Sequence, residues 1–187
     1  MHIDDLIYVS KNQLDKDFCE HVIEKFKKDD NKHQGLIGRG VDPEIKQSTD
    51  LLITGNPNWE EEDNVFFKSI GNNLDYYVKW LPKPYGDFVL NFPPEDTGYQ
   101  IQETKPGGFY KWHHDQLETR RLTFIWYLND ITEAGYTEFN CGLKIQPEMG
   151  KMVIFPGLWP WIHRGVSPTS ETKYICTGWI RERNADK

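Results

Sequence analysis

The chain has 187 residues, 37% of them apolar, with 22 Lys and Arg against 29 Asp and Glu and a net charge of −7. That is room for one domain around its own core. The acidic balance argues against a general nucleic-acid binder, which needs a basic surface, and no run approaches the ~20 apolar residues that cross a bilayer. The first predicted helix begins at Asp15, a plausible N-cap, and sets Phe18, Val22, Ile23 and Phe26 near a 3.6 period. It closes in the polar run KKDDNKHQG. The segment His33–Gln47 with its three glycines is either a lid over a cleft or a plain connector, and Gly38-Arg39-Gly40 lacks the strand–helix context of a phosphate loop. Ser48–Thr54 is a short strand candidate. A second helix follows Pro57, with Asn58 and Glu61 spaced as a capping box and Glu60–Asp63 favouring its N-terminus. Phe66, Phe67, Ile70, Leu74, Tyr77 and Val78 give it one apolar face, and LPKPYG ends it near residue 81.

The second half changes character. Tyr99–Glu103, Arg121–Leu128, Lys151–Phe155 and Thr172–Ile180 are rich in β-branched and aromatic residues and are separated by turn formers. Strands at this spacing predict an antiparallel barrel or double sheet. The chain therefore reads as α+β, mainly β: one domain over 1–187, a helical layer about 1–96 and a β core about 97–181. Alternation along Arg121–Leu128 sends Leu122, Phe124, Trp126 and Leu128 to one face and Thr123, Ile125 and Tyr127 to the other. No secretory signal is read in MHIDDLIYVSKNQ. Cys19, Cys141 and Cys176 form no CxxC pair and read as reduced thiols, so the expected location is cytoplasmic.

The chemistry concentrates in Tyr110-Lys-Trp-His113-His114-Asp115. Residues i and i+2 of a strand share a side, so His113 and Asp115 can reach one ion while His114 points away. The remaining histidine of the β half is His163, 50 residues after His113. The three would form a two-His, one-carboxylate triad with open positions, an arrangement suited to Fe(II) and O₂. Taken alone, the His-x-Asp spacing is equally a solvated strand end. Ten residues after His163 stands Lys173, near the start of an apolar strand. It either snorkels to solvent or pairs with a buried anion such as a dicarboxylate co-substrate. In that second case Thr177 on the same face and Tyr127 from a neighbouring strand could donate to the same carboxylate.

Over residues 97 to 181 the chain resembles the 2-oxoglutarate- and iron(II)-dependent dioxygenases, in particular their prolyl 4-hydroxylase-like branch of bacterial and phage type. The resemblance rests on Gly107–Asp115, Arg121–Asp130, Ala134–Phe139, Gly150–Pro156 and His163-Arg-Gly-Val-Ser-Pro168 followed by Lys173. It implies a double-stranded β-helix, or jelly roll, with helices on the major sheet. It implies His113, Asp115 and His163 as iron ligands and Lys173 and Tyr127 on the distal carboxylate of 2-oxoglutarate. Thr177, Trp179 and Tyr110 are implied to line the pocket. The implied reaction hydroxylates an unactivated C–H with O₂ and releases succinate and CO₂, with ascorbate as a reductant. The implied substrate is a prolyl residue of a peptide or protein. Two other readings remain: a free amino acid or small metabolite, or a non-catalytic metal-binding module. Two positions depart from the family pattern: Glu103, where a tyrosine often stands ten residues before the first histidine, and Ala134-Gly135, where Gly-Gly is usual.

Aromatic residues make up 14% of the chain, and five of the seven Trp fall between residues 112 and 179. Trp159-Pro160-Trp161, just before His163, reads either as an aromatic ledge at a substrate mouth or as a packed loop. Arg120 and Arg121 read as a solvated pair, or as a partner for an acidic group.

Overall fold

A computed structural model of the protein describes residues 2–117 and 119–183. Its helices are α1 (Lys16–Lys28), α2 (Glu60–Trp80) and α3 (Tyr85–Phe88). The strands of the first 96 residues are β1 (Tyr8–Ser10), β2 (His33–Gln34), β3 (Leu36–Ile37), β4 (Gly40–Val41), β5 (Thr49–Leu52) and β6 (Pro94–Asp96). Then come β7 (Gln100–Thr104), β8 (Tyr110–His113), β9 (Arg120–Tyr127), β10 (Thr137–Phe139), β11 (Lys144–Ile145), β12 (Met152–Pro156), β13 (His163–Gly165) and β14 (Lys173–Glu182). The major sheet runs β1-β12-β9-β14-β7-β5-β2, with β6 also on β14; the minor sheet runs β11-β10-β13-β8; β3 and β4 form a separate hairpin. The architecture is the mainly β double sheet with added helices that the sequence predicts.

Alternation along β9 decides the layering. Leu122, Phe124 and Trp126 join one core with Val22, Ile23 and Phe26 of α1 and Phe66, Ile70 and Tyr77 of α2. Ile125 and Tyr127 join the other core, between the sheets, with Phe139, Ile145, Val153 and Phe155. Phe66 anchors the helical side, with ring centroids 5.2 Å from Trp126, 5.4 Å from Phe18 and 5.7 Å from Tyr99. Tilted and edge-on rings at such distances add to the burial energy of each side chain.

Several local expectations shift. The first 96 residues are more than a helical layer, because β1, β2, β5 and β6 extend the major sheet. The Asn58–Glu61 box does not cap α2. The chain first makes a 3₁₀ turn, Pro57–Trp59, capped by the Asn56 side chain, which accepts from Asn58 N at 3.0 Å. Proline's fixed φ suits the first position of such a turn, which moves the cap back by two residues. Phe67 is 58% exposed, and the buried stripe of α2 runs Glu62, Phe66, Ile70, Asn73 and Tyr77. Glu62 tolerates this because Lys25 donates to it at 2.7 Å and His21 lies 2.6 Å from it; buried carboxylates persist when paired. Burial pushes the Glu62 carboxyl up, and these partners outweigh it and hold the group below its usual range. Segment 33–47 is neither a bare connector nor a loose loop, since it carries the β3–β4 hairpin.

Candidate functional site

His113 and His163 are cross-strand partners in the minor sheet, and residues directly opposite in an antiparallel pair bring their side chains together. Their ring centroids are 4.2 Å apart. Asp115 lies just past the end of β8 on the same side, and its carboxylate oxygens stand 3.6 Å from Nε2 of each histidine. One ligand atom from each of the three residues falls within 4.8 Å of the others. His114 is exposed, as strand parity requires.

The backbone fixes the tautomers. His113 Nδ1 lies 2.8 Å from the Lys111 carbonyl and His163 Nδ1 lies 3.1 Å from the Trp161 carbonyl. A carbonyl accepts only, so both Nδ1 atoms donate and both Nε2 lone pairs face the centre. Thr123 donates its hydroxyl to Asp115 Oδ2 at 2.7 Å. Rings clamp the imidazoles: Tyr110 stacks on His113 at 3.5 Å, and Phe155 meets His163 edge-on at 4.8 Å. Burial and the neighbouring His163 push the His113 imidazolium well down, so this ring is neutral and its Nε2 lone pair is free for a metal. Burial pushes the Asp115 carboxyl up, and His163, His113 and the Thr123 hydroxyl together outweigh it and keep the group ionised.

Behind the triad lies a narrow chamber of about 70 Å³ lined by Thr137, Gly165, Lys173, Ile175 and Thr177. Lys173 is 4% exposed. Its ammonium has three donors, and among the described residues the Gly135 carbonyl, at 3.0 Å, accepts from it. It does not snorkel. Burial lowers its pKa to about 8. Gly165 leaves space there: a Cβ would sit 3.7 Å from the Lys173 ammonium and 3.5 Å from the Tyr110 Cβ. A buried ammonium short of acceptors beside two imidazoles and a carboxylate fits a divalent metal with an anionic co-substrate.

The other anticipated residues divide. Trp179 and Tyr110 line the chamber. Thr177 also lines it, but its hydroxyl already donates to the Phe124 carbonyl at 2.8 Å. Tyr127 is buried one layer behind: its hydroxyl donates to Thr137 Oγ1 at 2.7 Å, and Thr137 faces the space. Glu103 turns away from the site, accepting from the Tyr174 hydroxyl at 2.7 Å on the helical side, while its neighbours Gln102 and Thr104 face inward. The departure at 103 therefore does not touch the pocket. Of the two arginines, Arg121 pairs with Glu182 at 2.6 Å and Arg120 lies on the Trp179 ring at 3.6 Å, so they are not a solvated pair. Trp161 donates to the Ile3 carbonyl at 3.0 Å and packs into the core, whereas Trp159 is 66% exposed.

Sequence reasoning missed Lys46 and Asp50. Both are buried, with Lys46 Nζ 2.6 Å from Asp50 Oδ2. Ser48 and Gln100 also donate to the Asp50 carboxylate, at 2.7 and 2.9 Å. The signal was parity: Lys46, Ser48 and Asp50 alternate with Leu51 and Ile53, which enter the core. Lys46 lines the chamber and also an outer cleft of about 670 Å³, which opens onto His113 and Asp115 and is walled by the β3–β4 hairpin.

The 2OG-Fe(II) oxygenase superfamily model matches residues 99–181, which hold the whole triad and Lys173. Those residues belong to that superfamily. The oxygenase is similar to a protein of Acanthamoeba polyphaga mimivirus assigned by name as a prolyl 4-hydroxylase, at 24% identity over 94% of this chain and 74% of the relative. In fold it is similar to the viral collagen prolyl hydroxylase of Paramecium bursaria Chlorella virus-1, solved with 2OG, with a TM-score of 0.70, 20% identity and coverage of 95% and 97% of the two chains. A Trichoplax adhaerens prolyl hydroxylase, solved with a hypoxia inducible factor oxygen degradation domain peptide fragment, gives 0.74, 18% identity and coverage of 95% and 84%. A Pseudomonas putida prolyl-4-hydroxylase gives 0.69, 19% identity and coverage of 96% and 97%. The jelly-roll fold is thus shared along nearly the whole chain. The protein is an enzyme, a 2-oxoglutarate-dependent dioxygenase that uses Fe(II) and O₂. Among the described residues no helix is long and apolar enough to cross a membrane.

Proposed function

We propose that this oxygenase hydroxylates a prolyl residue within a peptide or protein. The observation that carries the reading is the outer cleft of about 670 Å³ opening directly onto the triad. Such a space suits a chain segment better than a free amino acid, because small-molecule sites enclose most of their ligand. The prolyl hydroxylase likeness of the viral relative supports the choice of residue.

In this reading His113, Asp115 and His163 hold the iron. Iron with 2-oxoglutarate supplies activation of O₂ and oxygen insertion into a C–H bond, releasing succinate and CO₂, with ascorbate as the external reductant. The chain does the remainder. The Lys111 and Trp161 carbonyls keep both imidazoles in the metal-binding tautomer. The Thr123 hydroxyl orients the carboxylate. Lys173 offers its unsatisfied donors to the distal carboxylate of the co-substrate, in a dry setting where a charge-assisted bond is about twice as strong as a neutral one. Thr177 and Ile175 shape that chamber, and Tyr127 braces it through Thr137. Tyr110 and Trp179 wall the passage from chamber to cleft and exclude water.

The test is to incubate the enzyme with Fe(II), ascorbate, 2-oxoglutarate and proline-containing peptides, and to follow succinate and peptide mass. The expected result is a gain of one oxygen atom on proline, absent when proline is replaced by alanine. Oxidation of free proline or of another small molecule, with every peptide unchanged, would overturn the reading.

A further inference from the structure

The outer cleft has a charge opposite to that of the protein. The chain is net negative, −7, yet among the described residues lining this cleft the sole carboxylate is Asp115. Asp115 is committed to the triad. The lining cations are Arg39, Lys46 and Arg120, and the imidazoles of His33 and His114 lie along the same wall. Lys46 is neutralised by Asp50. Arg39 sits on the exposed turn between β3 and β4, and Arg120 extends over the Trp179 ring at the start of β9.

The same cleft gathers apolar surface. Leu36 (47%), Leu52 (54%), Trp112 (46%) and Leu117 (48%) are all exposed, and all line it. Large exposed apolar side chains collected in one groove mark a binding surface rather than scattered surface residues. Cationic groups set among them select for sign, because complementary charge governs encounter and choice of partner.

We propose that the preferred substrate is an acidic peptide segment, in which apolar residues flank the reacting residue and carboxylates lie within reach of Arg39. This rests on the peptide reading above and narrows it. Arg39 is then a specificity residue, reaching the substrate from the hairpin and away from the reacting atoms. A segment carrying Lys in place of the acids meets a like-charged wall and is rejected.

The experiment uses the whole chain with Mn(II) in place of Fe(II) and with 2-oxoglutarate, titrated calorimetrically with three peptides that share one proline and its apolar neighbours. The flanking residues are Glu, Gln or Lys. The Glu peptide should bind tightest, about tenfold over the Lys peptide at low salt, and the gap should shrink as salt screens the charges. Arg39→Glu should remove or invert the ranking. Lys68→Glu, the same charge change at an exposed position of α2, should keep it. Equal affinities for the three peptides, or an unchanged ranking in both Arg39→Glu and Arg39→Gln, would overturn the proposal. Mass analysis with Fe(II) separates this from the prolyl reading. If the Glu peptide binds best but no proline gains oxygen, the prolyl reading fails and the acidic preference stands. If all three peptides are hydroxylated with equal affinity, the acidic preference fails alone.

Discussion

The inner chamber and the outer cleft share His113 and Asp115 as a common wall, together with Lys46, Gln102, Tyr110 and Trp179, but differ in the rest of their lining. The far side of the chamber draws on β9, β13 and β14, strands whose residues are held by the sheet on both sides. The chamber is narrow, and of its two buried cations Lys46 is paired with Asp50 while Lys173 donates to the Gly135 carbonyl. The cleft draws on the β3–β4 hairpin, β5 and the stretch after β8, with exposed apolar and cationic side chains. A space of about 70 Å³ with a fixed charge suits a small anion. An open space walled by a two-stranded hairpin suits a partner that differs from one enzyme to the next, since loops on a rigid scaffold carry variable recognition. The functional division follows the mechanical one.

The largest expected effect lies in the triad. His163→Ala removes one Nε2 and leaves its clamp, Phe139 and Phe155, around a hole. Metal affinity should fall by more than the ~100-fold typical of losing a supporting partner, and turnover should vanish. Titration with Co(II), read by its visible absorption, checks this independently of activity. Wild-type turnover in this variant would break the assignment of both regions at once.

Next in size is the buried pair that joins the two spaces. Lys46→Ala leaves the Asp50 carboxylate at 0% exposure with only Ser48 and Gln100 as donors. Breaking a buried pair from one side costs roughly 3–5 kcal/mol, or about 6–20 °C of melting temperature for a chain of this size. The double variant Lys46→Met with Asp50→Leu should recover part of that loss. If the single variant melts like the parent, the pair contributes nothing to holding chamber and cleft together.

Lys173→Ala should act on the chamber alone. It removes the ammonium proposed to pair with 2-oxoglutarate while leaving the triad in place, so KM for 2-oxoglutarate should rise about 10- to 100-fold, with Co(II) binding unchanged. In the parent enzyme, burial lowers the Lys173 pKa to about 8. The ammonium is charged below that pH and neutral above it, whereas both carboxylates of the co-substrate stay ionised throughout. Hence kcat/KM for 2-oxoglutarate should fall as pH rises through about 8. Lys173→Arg should move that fall upward, because a guanidinium does not titrate in this range.

How much of this was legible depended on element length and pairing. Alternation in β9 sorts Phe124 and Trp126 from Ile125 and Tyr127 without any structure, because an eight-residue strand carries its period plainly. The His113–Asp115 spacing worked because a single i to i+2 step keeps its side even at the end of the four-residue β8. Failures came where parity depended on a partner. Glu103 sits ten residues before His113, but a turn intervenes between β7 and β8, so counting residues does not say which face it takes. The minor-sheet strands, two to four residues each, are too short to show a period. Lys46 and Asp50 were passed over because a charged pair reads as surface until the chain on both sides is seen to cover it. Tyr127 and Thr177 were placed in the correct strands, but the acceptors of their hydroxyls, Thr137 and the Phe124 carbonyl, come from elsewhere in the chain.

The smallest expected effect concerns the turn that holds Lys173. Ala134 takes φ +55° and Gly135 φ +65°, and the Gly135 carbonyl is the acceptor for the buried ammonium. The left-handed region costs a residue with a Cβ about 1–2 kcal/mol, and glycine almost nothing. Glycine also frees the unfolded chain, which offsets roughly 0.4–1 kcal/mol. Ala134→Gly should therefore stabilise by about 0.5–1 kcal/mol, a rise of a few degrees at most in melting temperature, with KM for 2-oxoglutarate unmoved. Ala134→Val pushes the other way, since a β-branched residue resists this φ. That variant should melt lower and also raise KM, because any shift of the turn carries the Gly135 carbonyl with it. A fall in stability without a change in KM would mean that Lys173 is positioned by β14 alone, and that the turn contributes to the fold but not to the chamber.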